Sequence, residues 1–242
     1  MKILALETAT GVCGTAIVEN GIVLAEASIV AERIHSEKLL PLVDDVLHQA
    51  NSALDAIDGI AVSIGPGSFT GLRISLSAAK GLAYASGKPL LAVNTLEALA
   101  WNCVQRNLAR SGDYILAMID ARRSEVYAAL YRYEEVLHGQ ISPRAIHLHE
   151  LDKLLESKQR VIVTGDGVEK FQKYIAGASP GLSARLIIPV PEDTRCSASA
   201  VGILGEQMLR RGEIADLASL EPFYVKDFQT LVRTQHPSEV QS

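Results

Sequence analysis

The chain has 242 residues, 48% of them hydrophobic, and a net charge of −5, enough apolar material for one large domain or two lobes. Its Lys and Arg form no long run, and the pairs Arg122-Arg123 and Arg210-Arg211 are too small for an RNA-binding footprint of the chain's own. Cys13, Cys103 and Cys196 are odd in number and far apart, which excludes a disulfide framework and a Cys-x-x-Cys metal site and fits a reducing cytoplasm. The first apolar run is broken at Glu7, too early for a signal peptide, and no stretch approaches the length of a membrane span.

Residues 2–6 and 13–18 read as strands, Asn20-Gly21 as a hairpin turn, and residues 22–27 as the returning strand. Ser36 opens an amphipathic helix with Leu39, Leu42, Val43, Val46, Leu47 and Ala50 on one side, kinked or effectively started at Pro41. A buried strand over 59–64 then meets Gly65-Pro66-Gly67-Ser68-Phe69-Thr70-Gly71-Leu72-Arg73. Pro66 stops the strand, the three glycines permit tight turns and close approaches, and Ser68 and Thr70 are placed to cap the next helix. Two readings of this loop stay open. Free N–H groups at the helix start, with Arg73 beside them, would hold a phosphate; alternatively the glycines only let the helix pack tightly on its strand. It is neither a Walker loop nor a G-x-G-x-x-G fingerprint, because the glycine spacing is wrong and no Lys follows Gly71. A helix to about Ala85, a strand over 90–93 and a helix over 95–108 complete this half.

The pattern restarts after Ser111-Gly112-Asp113. Ile115-Leu-Ala-Met118 echoes Ile3-Leu-Ala-Leu6, and Val161-Ile-Val-Thr-Gly165-Asp-Gly167 echoes Ala61-Val-Ser-Ile-Gly65-Pro-Gly67. Residues 125–131 read as the second strand of this meander and 148–156 as a helix. Two echoes in the same order and at similar spacing favour a duplication. A last amphipathic helix spans 197–211. The expected organisation is therefore a lobe over 1–108, a smaller lobe over 109–228, and a polar, loose tail over 229–242. A duplicated meander-plus-helices lobe is the plan of the actin, hexokinase and Hsp70 superfamily, an α/β class built from two ribonuclease H-like lobes, each a mixed sheet with helices. By that analogy Glu7 and Asp120, at the ends of the two first strands, are the acids of a degenerate nucleotide cleft. The plainer reading is two acids capping strand ends in solvent.

Ile3-Leu-Ala-Leu-Glu-Thr-Ala-Thr10, the block from Gly65 to Ile74, Ile119-Asp-Ala-Arg122 with Glu125-Val-Tyr127, and Glu221-Pro-Phe-Tyr-Val225 together resemble the bacterial TsaB (YeaZ-like) family of tRNA threonylcarbamoyladenosine biosynthesis proteins. The resemblance runs to about Phe228 and is weaker over 135–217. It implies a non-catalytic scaffold and activator, an accessory subunit rather than an enzyme, in the complex that forms N6-threonylcarbamoyladenosine beside the anticodon of tRNAs reading ANN codons. It also implies a heterodimer with the paralogue TsaD, joined by the ATPase TsaE, a homodimer in isolation, tRNA contact through the complex, and no membrane. No cofactor is expected on the chain alone, with ATP or ADP at the interface of the complex. The partner surface implied is a helical bundle from the two helices that carry Leu39, Leu42, Val43 and Val46, and Ser75, Ala78, Ala79 and Leu82. In TsaD a Val-Asn strand end precedes an H-x-x-x-H metal site; here Val93-Asn94 is followed by Thr95 and Leu99 at the histidine positions, and leucine cannot bind a metal. His147 and His149 lack a third ligand, so no metal is expected. The alternative function is an ATP-dependent small-molecule kinase or ATPase of the same fold.

Overall fold

A computed structural model describes residues 1–31, 34–178 and 180–225 of the chain; the tail expected over 229–242 lies outside them. The first half contains β1 (Lys2–Glu7), β2 (Val12–Glu19), β3 (Ile22–Val30), α1 (His35–Gln49), β4 (Gly59–Gly65), α2 (Phe69–Ser86), β5 (Leu90–Asn94) and α3 (Thr95–Gln105). The second contains β6 (Tyr114–Asp120), β7 (Glu125–Glu134), β8 (Val136–His147), α4 (Leu148–Leu155), β9 (Val161–Thr164), α5 (Val168–Ala178), the short α6 (Pro180–Ser183), β10 (Leu186–Ile187) and α7 (Ala198–Arg211). The strands form two five-stranded mixed sheets, ordered β3-β2-β1-β4-β5 and β10-β9-β6-β7-β8. Read from the opposite edge, the second order is the first. This is the duplicated α/β arrangement of the actin-like ATPase fold.

Local chemistry accounts for the elements. Asn20 and Gly21 both have positive φ, 51° and 76°, as a two-residue turn matched to strand twist requires. α1 runs through Pro41, so the proline does not set its start. β8 was not anticipated: its twelve residues are mostly exposed, and such a strand carries little apolar periodicity.

Alternation along the central strands divides the core. Leu4 and Leu6 of β1 face α1 and α2, while Ile3 and Ala5 face α7. In the second sheet Leu116 and Met118 face α4 and α5, while Ile115, Ala117 and Ile119 meet Leu96, Leu99, Ala100 and Cys103 of α3. The inner helices are thus exchanged. α3 follows the first sheet but covers the second, α7 follows the second but covers the first, and the two helices pack against each other between the sheets.

Candidate functional site

The glycine loop lies where β4 gives way to α2, against the turn between β1 and β2. Ser68 is the N-cap of α2 and accepts from Gly71 N at 3.3 Å; Thr70, expected to share the capping, sits exposed inside the first turn. Ser68 N donates to Ala9 O at 2.7 Å, and Thr8 Oγ1 donates to Gly71 O at 2.7 Å. A Cβ on Gly67 would lie 2.3 Å from Ala9 O, and one on Gly71 2.0 Å from Thr8 O, so only glycine tolerates these approaches. Gly65 has φ +121° and faces Phe223 O, while Phe223 N donates to Ile64 O at 2.7 Å. Arg73 is drawn sideways: its Nε donates to Tyr224 Oη at 3.1 Å and its guanidinium lies 3.8 Å from the Phe69 ring centroid. Backbone packing therefore accounts for all three glycines without a ligand, and Arg73 is committed to an aromatic pair.

The two strand-end acids stand in opposite surroundings, one buried and one exposed. Glu7 is completely buried. Its Oε1 accepts from Ala9 N at 2.6 Å, while Oε2 has Ser63 as a polar neighbour too poorly placed to complete a hydrogen bond. Burial pushes its pKa up to about 7, against the opposing effect of Ser63 and Ala9 N. Glu7 is therefore not a strand cap in solvent. Asp120 is exposed, accepts from Arg122 N at 2.6 Å, and forms an ion pair with Lys170. Its own N–H donates to Asp166 Oδ1 at 2.8 Å.

A cleft of about 700 Å³ does lie between the lobes, lined by residues such as Thr10, Leu99, Asp166, Glu169, Val190 and Arg195. Neither Glu7 nor Asp120 is among its lining residues. The sequence echo Gly165-Asp166-Gly167 was the available signal for this wall, but an echo of backbone shape does not say which lobe's loop meets the cleft. Thr95 is buried and accepts from Gly65 N at 3.1 Å, and Leu99 is buried in the core around α3. The helix position that carries histidines in the metal-binding pattern thus serves packing. His147 and His149 stack with ring centroids 5.5 Å apart, with Glu125 Oε1 3.7 Å from His147 Nε2. Among the described residues no three His, Cys, Asp or Glu side chains are grouped to hold a metal ion. Burial pushes the Cys103 thiol up to about 11, which keeps it protonated and a poor nucleophile.

The helical surface needs a correction. Leu39, Leu42, Val43 and Val46 pack into the core under α1, and Ser75 and Ala79 are wholly buried under α2. Ala78 and Leu82 are half-buried and pack against the same core. Periodicity finds the face a helix buries, and in the monomer that face is taken by the sheet. The outer face instead offers Leu40, 52% exposed, and Tyr84, 82% exposed, with Pro41, Ser77 and Gly81. A charge at Ala79 would consequently strike the core rather than a partner.

Residues 25–231 match the family model described as TsaD, tRNA N6-adenosine threonylcarbamoyltransferase. The chain is 31% identical over 237 residues to the tRNA threonylcarbamoyladenosine biosynthesis protein TsaB of Escherichia coli K12, covering 94% of this chain and 95% of the relative. It is 31% identical over 229 residues to the TsaB of Bacillus subtilis 168, covering 93% and 94%. Among solved structures, YeaZ from Pseudomonas aeruginosa superposes with a TM-score of 0.75 at 28% identity, over 92% of this chain and 99% of that one.

Proposed function

Because this chain belongs to the TsaB (YeaZ-like) family of tRNA threonylcarbamoyladenosine biosynthesis proteins, we propose that it acts there as a non-catalytic subunit. On this reading it binds and activates the paralogous transferase TsaD, with TsaE joining them and tRNA reached through the complex. The observation that carries the reading is the state of the two acids: Glu7 is sealed from solvent, Asp120 is neutralised by Lys170, and neither lines the cleft. A group that is to ligate a metal or move a proton must reach its substrate. The same observation weighs against the kinase or ATPase alternative. ATP or ADP, on this reading, is held where subunits meet.

The outer face of α1 and α2 is the surface we assign to the partner, because it combines a largely exposed tyrosine with small neighbours. Aromatic anchors supply binding energy, and small residues admit a facing helix closely. The same face would serve a homodimer when the partner is absent.

Reconstitution tests the function. With purified TsaD and TsaE, threonylcarbamoyl-adenylate and unmodified tRNA, threonylcarbamoyladenosine formation is expected to depend on this chain, while the chain alone shows no turnover of Mg-ATP. Equal modification in its absence would remove the assignment, and robust turnover by the isolated protein would favour the kinase reading.

A further inference from the structure

The sequence holds two arginine pairs, and the structure treats them oppositely. On α7, Arg210 Nε donates to Glu206 Oε1 at 3.1 Å and Arg211 Nε to Glu213 Oε1 at 2.7 Å, so both charges are answered within the chain. Arg122 and Arg123, at the tip between β6 and β7, are exposed. Among the described residues neither of their guanidinium groups has an ion pair, a hydrogen bond or a ring contact.

The backbone of this tip is also unusual. Arg122 and Arg123 have φ of 65° and 51°, in the left-handed region that side chains disfavour. Of the six described non-glycine residues with positive φ, three are Asn, the type that tolerates it well, and two of the other three are these neighbours. Asn20-Gly21 makes the β2–β3 turn without that strain, so a turn alone does not call for arginine. The carboxylates of the hairpin do not compensate the pair, because Asp120 is bound to Lys170 and Glu125 Oε1 lies 3.7 Å from His147 Nε2. The amides of Ala121 and Arg122 are taken as well, donating to Glu125 O at 3.3 Å and Asp120 Oδ1 at 2.6 Å. Ser124 Oγ lies 3.4 Å from His147 Nδ1, which brings the stacked rings of His147 and His149 beside the tip.

We propose that the Arg122-Arg123 tip grips the phosphate backbone of the tRNA held in the complex. In a chain of net charge −5, two uncompensated guanidinium groups at one tip select an anion, and their forked donors match phosphate oxygens. Imidazole and guanidinium planes are also surfaces on which unpaired RNA bases stack, which favours RNA over a lipid headgroup or an acidic peptide. Two arginines are too few to hold RNA unaided, so the contact acts on RNA that the other subunits also bind. It rests on the proposed role in tRNA modification. The tip belongs to the second sheet, whereas α1 and α2 pack on the first, so the RNA contact and the TsaD contact use different lobes.

The double variant Arg122→Asn/Arg123→Gly tests this, because it removes both charges and suits the left-handed turn. Its melting temperature is expected to equal or exceed that of the native chain, whereas a structural role for the arginines would lower it. In the reconstituted complex with TsaD and TsaE, the KM for unmodified tRNA is expected to rise about tenfold with kcat little changed, and the dependence of log Kd on log salt to become shallower by about 2. An unchanged KM and salt slope, in a complex that needs this chain for modification, overturns the contact and leaves the tRNA role standing. Modification that proceeds equally well without this chain overturns both. Loss of TsaD or TsaE co-elution in the double variant, or weaker Mg-ATP binding at unchanged tRNA affinity, also overturns the contact, by giving the tip to a protein or a nucleotide.

Discussion

Glu7 carries an ionisable proton into a site that water does not reach, and this makes stability depend on pH. Its folded pKa is raised to about 7 from an ordinary 4.5, so between these values the folded state binds the proton that the unfolded state releases. Stability therefore falls as pH rises from about 4.5 to about 7 and then levels off. The difference corresponds to about 3 kcal/mol. Glu7→Gln, which mimics the protonated carboxyl, is expected to be more stable than the native chain by up to that amount at pH 8 and equal to it near pH 4. Urea unfolding at the two pH values measures this, and parallel pH profiles would show that Glu7 is solvated. At the loop, Gly71→Ala forces a methyl to 2.0 Å from Thr8 O and is expected to cost about 3 kcal/mol in the same assay. An unchanged midpoint would mean that the turn between β1 and β2 moves freely. That Glu7 ends a strand was legible in the sequence; that it is sealed was not, because the residues around it, Ser63, Cys13 and Cys196, come from three other segments.

Helices α1 and α2 separate two roles that composition alone confuses. Ala79→Glu buries a charge beneath α2 and is expected to abolish folding or lower stability by several kcal/mol, about 3 or more. Gly81→Arg has open space around the new side chain and is expected to leave the melting temperature intact while eliminating co-elution with TsaD. Size-exclusion chromatography with circular dichroism on both variants distinguishes them; retention of the TsaD complex by Gly81→Arg would move the partner to another face. The strands with dense apolar runs, the Asn20-Gly21 turn and the α7 helix were readable because each is determined by a few neighbouring residues. β8 was not, since half-exposed strands gain their conformation from pairing rather than from apolar alternation. The position of α3 was also unreadable, because periodicity says which face is buried and not which sheet buries it.

At the scale of the whole molecule the exchange of α3 and α7 ties the halves together. The first sheet without α7 would expose Ile3, Ala5, Ala16, Ala61 and Leu91, all now buried. We expect one cooperative unfolding transition, with the fluorescence of the single tryptophan, Trp101, packed on the core beneath α7, superposing on far-ultraviolet circular dichroism. Two separated transitions would contradict this. The fragments 1–108 and 109–242, expressed apart, are expected to be insoluble and to recover structure only when produced together. The crossing also bears on ancestry. Had a half-length forebear carried this same helix across to its twin, it would have existed only as an entwined pair, each member completing the other. Gene fusion would then have made a permanent marriage of an obligatory partnership, and each half would afterwards be free to drift in sequence while the bond between them stayed fixed.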